Sequence, residues 1–164
     1  MKHMIFGAMA ALGMIAATPA LAAPNSNFTG IRAEMDAGYT NVNQKNDFNT
    51  VTYSAAVGGD IGIGNRLTVG IEGNASDVFS HQGRTYGAGA RVGVALTPSV
   101  LVFGRVGYTN VRDRLNRNLD GVAYGGGVNI ALTHNLYGNI EYRRSSVTNG
   151  VRTNGAQVGV GIRF

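Results

Sequence analysis

The sequence contains no cysteine and no tryptophan, and only three prolines and two lysines in 164 residues. Without thiols, neither a disulfide scaffold nor a thiolate metal site can be built. Scarce proline beside 25 glycines excludes a proline-glycine disordered composition, and the glycines follow no collagen period. Beyond the N-terminus there is no apolar run approaching the roughly 20 residues that a helix needs to cross a bilayer. Any crossing must use strands. The length fits one domain.

The N-terminus, "MKHMIFGAMAALGMIAATPALA", is organised differently from the rest. Lys2 and His3 precede an uncharged, largely apolar run, and Ala20, Leu21 and Ala22 form a small-x-small cleavage pattern. Residues 1–22 are therefore expected to be a cleavable signal peptide. Residues 23–164 would be the exported domain, outside the cytoplasm.

What fills that domain is alternation. Ile31, Ala33, Met35, Ala37 and Tyr39 share one face of a period-two segment, while Arg32, Glu34, Asp36 and Gly38 share the other. The pattern recurs over residues 51–63, 67–74, 86–96, 100–108, 122–132, 136–142 and 156–164. Connections alternate as well. Three are tight ("GNR", "TPS" and "THN") and the others, at residues 43–49, 76–85, 110–120 and 144–152, are longer and polar. The expectation is an all-β, eight-stranded antiparallel up-and-down barrel with one plain end and one looped end.

A soluble barrel would turn the Val/Ala/Tyr face inward, and a transmembrane barrel would turn it toward lipid. Three features favour the second. The polar face carries Arg32, Arg91, Arg105, Arg143 and Arg163 against Glu34, Asp36, Asp60, Glu72 and Glu141, a balanced set suited to an interior in which charges pair. Tyr39, Tyr53, Tyr86, Tyr108, Tyr124 and Tyr142 all fall on the apolar face near the long-loop ends, as an interfacial aromatic girdle requires. Only Tyr137 lies on the polar face. Eight strands enclose an interior that side chains just fill, and glycines on that face, including Gly58, Gly70, Gly159 and Gly161, leave room for long arginines and glutamates.

The last segment, "VGVGIRF", with "FGRVGYTN" and "LYGNIEYRRS", resembles the small outer-membrane β-barrels of the OmpA/OmpX and opacity-protein type, often labelled porin family proteins. The resemblance spans residues 28–164. It implies localisation in the outer membrane of a Gram-negative cell, a monomer, and a C-terminal strand that the barrel assembly machinery reads before insertion. That signal would comprise Val158, Val160, Ile162 and Phe164. Ala156 stands where such strands often carry an aromatic.

Catalysis finds little support. The exported domain holds two histidines, His81 in a long loop and His134 in a tight turn, and "SDVFSH" would put a triad on one loop without rigid orientation. Spacings for metal ligands are lacking, and the glycine words "GAGARVG" and "YGGGVN" have no following helix to receive a phosphate. No enzyme, metal, cofactor or nucleic-acid partner is expected. The long loops hold Lys45, Arg84, Arg112, Arg114, Arg117, Arg144 and Arg152, cations suited to the phosphates of lipopolysaccharide. The first functional expectation is thus a structural and surface-exposed barrel serving envelope integrity or adhesion. The alternative is a small diffusion pore through the charged lumen.

Overall fold

The computed structural model describes residues 28–43, 48–78, 84–112, 118–147 and 152–164. These form eight strands: β1 (Gly30–Asn43), β2 (Phe48–Ile63), β3 (Leu67–Val78), β4 (Arg84–Thr97), β5 (Val100–Arg112), β6 (Asn118–Ala131), β7 (Leu136–Val147) and β8 (Arg152–Arg163). Each pairs antiparallel with its sequence neighbour, and β8 returns to pair with β1. Closure leaves no unpaired ladder edge. The signal-peptide segment lies outside the described residues.

The register sets the tilt. Starting at Arg32, the cross-strand partners run through Gly58, Glu72, Gly89, Gly107, Ala123, Ser145 and Thr153 and return to β1 at Val42, ten residues nearer the long-loop end. Strands staggered in this way tilt by roughly 35–45° to the barrel axis. An even stagger also lets each residue keep its face all the way round.

Tight turns close one end. Thr97 Oγ1 accepts from the Ser99 amide at 3.2 Å, and Thr133 Oγ1 accepts from the amides of Asn135 at 3.3 Å and Leu136 at 3.0 Å. Gly64 adopts φ +64°, the left-handed conformation that its turn demands. At the other end the strands run further than hydropathy suggested. β3 continues to Val78, β4 begins at Arg84, β5 reaches Arg112 and β7 reaches Val147. The ladder continues there without apolar alternation because neither face needs to be greasy above a girdle.

The core is inverted. The fully or nearly buried side chains include Arg32, Glu34, Asp60, Arg91, Glu141 and Arg163, whereas Met35 and Ile71 are 71% and 72% exposed. A small apolar cluster of Phe28, Leu101 and Phe103, with Ala95 and Ala131 against it, closes the interior near the tight turns. A continuous apolar belt around a polar interior is the reverse of a water-soluble barrel.

Candidate functional site

The site begins with the inward face. Arg32 on β1 is wholly buried and contacts three carboxylates: its Nε meets Asp60 at 2.9 Å, Nη1 meets Glu34 and Nη2 meets Glu72. Arg91 on β4 reaches Glu34 at 3.1 Å, while Arg105 on β5 reaches Glu72 at 2.6 Å, Glu141 at 2.8 Å and Glu34 at 3.6 Å. Arg143 holds Glu141 at 3.0 Å, and Arg163 approaches Asp60 at 3.7 Å. Asp36 is held by neutral donors, Asn139 at 2.9 Å and Ser54 at 3.4 Å. The structure therefore brings nine of the ten candidate lumen charges into one ion-paired network and sets Asp36 in a neighbouring polar row.

Glycine makes these pairings possible. In register, Gly58 stands between Arg32 and Glu72, Gly159 between Asn139 and Asp36, and Gly161 between Tyr137 and Glu34. A Cβ on Gly161 would fall on the Tyr137 ring, one on Gly159 would fall on the Asp36 carboxylate, and one on Gly58 would crowd Arg32 and Glu72. The absent side chain lets partners on next-but-one strands meet over the strand between them. β6 supplies space instead of charge: Gly127 faces the Phe103 ring and Gly125 faces Glu141.

Rings complete the filling. Arg91 stacks over Phe103 at 3.8 Å, and Arg163 lies over Tyr137 at 4.8 Å and Phe28 at 5.3 Å. Such contacts satisfy the guanidinium faces while their edges hydrogen-bond. Phe28, Leu101, Phe103, Asn129 and Asn139 were not singled out in the sequence. Leu101 and Phe103 share the parity of Arg105, so the period alone places them inside, but their apolar character hides that placement.

The outer face carries the tyrosines. All six girdle candidates, Tyr39, Tyr53, Tyr86, Tyr108, Tyr124 and Tyr142, are exposed, while Tyr137 is 2% exposed. In register, Tyr142, Ala156 and Tyr39 form one outward row, so Ala156 is a gap between two rings. Val158, Val160, Ile162 and Phe164 also face outward, Phe164 being 73% exposed.

Above the tyrosines stand the basic residues, four of which are carried by strands and not by loops, as a hydropathy reading had placed them. Arg84 opens β4, Arg112 ends β5, Arg144 lies within β7 and Arg152 opens β8. The parity of Arg84, Arg144 and Arg152 with Tyr86, Tyr142 and Ala156 puts these three on the outward side of the ladder. Arg84 pairs with Asp77 at 3.5 Å. Lys45, Arg114, Arg117 and His81 lie outside the described residues.

An exposed apolar wall, a tyrosine ring at one level and a charge-filled lumen together define a transmembrane β-barrel. The chain belongs to the family described as outer membrane protein beta-barrel domain, whose pattern it matches over residues 8–164. It is an outer-membrane protein of Gram-negative type. A curated relative, the 25 kDa outer-membrane immunogenic protein of Brucella ovis, is 30% identical over 115 residues, which is 60% of this chain and 57% of the relative. The chain thus spans little more than half the length of that relative. Among solved structures, Neisserial surface protein A superposes with a TM-score of 0.62 at 19% identity, covering 83% of this chain and 98% of that one. The attachment invasion locus protein of Yersinia pestis, solved with the heparin analogue sucrose octasulfate, superposes with a TM-score of 0.55 at 14% identity, covering 82% and 99%. These likenesses establish the fold.

Proposed function

We propose that this barrel is a non-conducting structural and surface protein, whose outward basic rim pairs with anionic groups of lipopolysaccharide and whose loops meet external ligands. One observation carries the reading. Nine of the ten lumen charges are spent on one another inside a glycine-lined barrel, while Arg84, Arg144 and Arg152 above the girdle face outward. A lumen crossed by guanidinium-carboxylate bonds, with Phe28, Leu101 and Phe103 packed together toward the tight turns, supports a filled interior over an open pore. Arginine pairs with phosphate through two parallel N–H bonds. Short turns face the periplasm and longer loops face outward in such barrels, which places the rim at the outer leaflet.

Two partners follow from the same reading. The outward C-terminal row Val158, Val160, Ile162 and Phe164 is the segment offered to the barrel assembly machinery, and the closed ladder suits a monomer. No catalytic role is assigned.

The test pairs planar-bilayer recordings with envelope assays. The purified barrel is expected to show no steady conductance. A rim variant with Arg84, Arg112, Arg144 and Arg152 all changed to Ser should still migrate as a compact unboiled band, but it should leave cells more permeable to bulky hydrophobic antibiotics. A steady conductance abolished by bulky lumen substitutions would establish the pore instead.

A further inference from the structure

A groove of about 690 Å³ crosses the outer wall of the barrel from β8 to β4. Two adjacent outward rows build it. In register, the upper row is Val158, Ala37, Tyr53, Asp77 and Arg84, and the lower row is Val160, Met35, Ala55, Ala75 and Tyr86. The floor is methyl groups, from Ala37, Ala55 and Ala75. Met35, Tyr53 and Tyr86 stand up around it.

The groove is not level. Each circuit of the barrel along a row rises ten residues toward the long-loop end, in the direction β1 to β8. Passing from β8 through β1 to β4 therefore climbs. The deep end is Val158 and Val160, mid-strand on β8, and the high end is Arg84, the first residue of β4. Chemistry changes along the climb, from purely apolar to a guanidinium beside a carboxylate.

We propose that this groove docks one acyl chain of a phosphate-bearing outer-leaflet glycolipid, with the phosphate at Arg84. The inference rests on the outer-membrane reading and adds a particular site and ligand class to it. The order of apolar and charged ends matches a lipid lying along the wall with its head at the rim. Three alanines in adjacent outward positions, Ala37, Ala55 and Ala75, let a tail sink against the ladder between Met35, Tyr53 and Tyr86, and close contact of that kind accumulates many small dispersion gains. The charge also fits. The Arg84 side chain is 67% exposed, with Asp77 near its Nε at 3.5 Å. An exposed guanidinium at the head of an apolar groove can pair with a phosphate through two parallel N–H bonds.

The test extracts the full chain from outer membranes in mild detergent and counts retained lipid by native mass spectrometry. The unaltered barrel should carry one phosphorylated glycolipid. Two independent variants should each lower that occupancy by about tenfold, the loss expected for one charge-assisted contact or an equivalent packing loss. One is Ala55→Phe with Ala75→Phe, which fills the floor; the other is Arg84→Ser. Val122→Phe, on β6, separated from the groove by a strand on either side, should leave occupancy unchanged. Boiled and unboiled gel migration verifies that each barrel is closed, so misassembly of one variant leaves the other to decide. Equal retention in all variants, or retention of a lipid without a sugar-phosphate head, would overturn the groove. If the unaltered chain gives no compact unboiled band, the membrane reading itself fails.

Discussion

The Tyr137 hydroxyl on β7 donates to Glu34 Oε1 on β1 at 2.8 Å, passing over Gly161 on the strand between them. Three residues on three strands form one unit: a donor, an acceptor and a gap. The same arrangement joins Asn139 to Asp36 over Gly159 and Arg32 to Glu72 over Gly58. Glycine costs a strand both backbone entropy and packing, so its repeated use here reflects what the interior must hold.

Gly161→Ala should therefore destabilise the barrel by about 1–3 kcal/mol, the usual cost of overpacking, because the new methyl falls on the Tyr137 ring. Gly138→Ala, whose Cβ meets nothing within 4 Å, should instead be neutral or stabilising by about 0.4–1 kcal/mol. Urea unfolding in detergent, read by loss of the compact gel band, separates them. Equal destabilisation by both would show that strand entropy, not lumen space, governs these glycines.

Arg32→Met removes the cation that serves Glu34, Asp60 and Glu72. Stranding buried carboxylates costs about 3–5 kcal/mol. The variant should unfold at markedly lower urea, and adding Glu72→Gln should recover part of the loss. No recovery in the double variant would mean that Glu72 is not a partner whose charge needs compensation.

Ile71 is 72% exposed near the middle of β3. Ile71→Arg should cost about 2–4 kcal/mol if that face meets lipid at mid-bilayer, and close to nothing if it meets water. Reconstitution into vesicles followed by denaturant unfolding reads the difference directly. A neutral result would turn the barrel inside out.

Ala156 interrupts the outward row between Tyr142 and Tyr39. Ala156→Tyr should fill the gap, adding cross-strand aromatic contacts of about 0.2–1 kcal/mol each and raising the yield of assembled barrel. Phe164→Ala should lower that yield with little change in the stability of what does assemble. Pulse-labelled cells analysed unboiled give the assembly rate, and an unchanged rate in both variants would remove the C-terminal row from the assembly signal.

Period-two alternation determined the eight strands and which residues share a face, because side-chain direction in a strand depends only on parity, and the alternation of tight and long connections gave their antiparallel order. Alternation fits either face inward; the balanced charges and the tyrosines at one level assigned the ten lumen charges to the inside and the six tyrosines to the outside. Alternation did not reach the ends of the strands above the girdle, where both faces can be polar and parity carries no hydropathy signal. That is why Arg84, Arg112, Arg144 and Arg152 read as loop residues. Which carboxylate meets which guanidinium was decided only in three dimensions. The partners sit on next-but-one strands, and the ten-residue stagger sets which positions share a row. The diagonal groove from Val158 to Arg84 has the same origin, since no local pattern records that five separate strands bring small side chains and one arginine into a single climbing line.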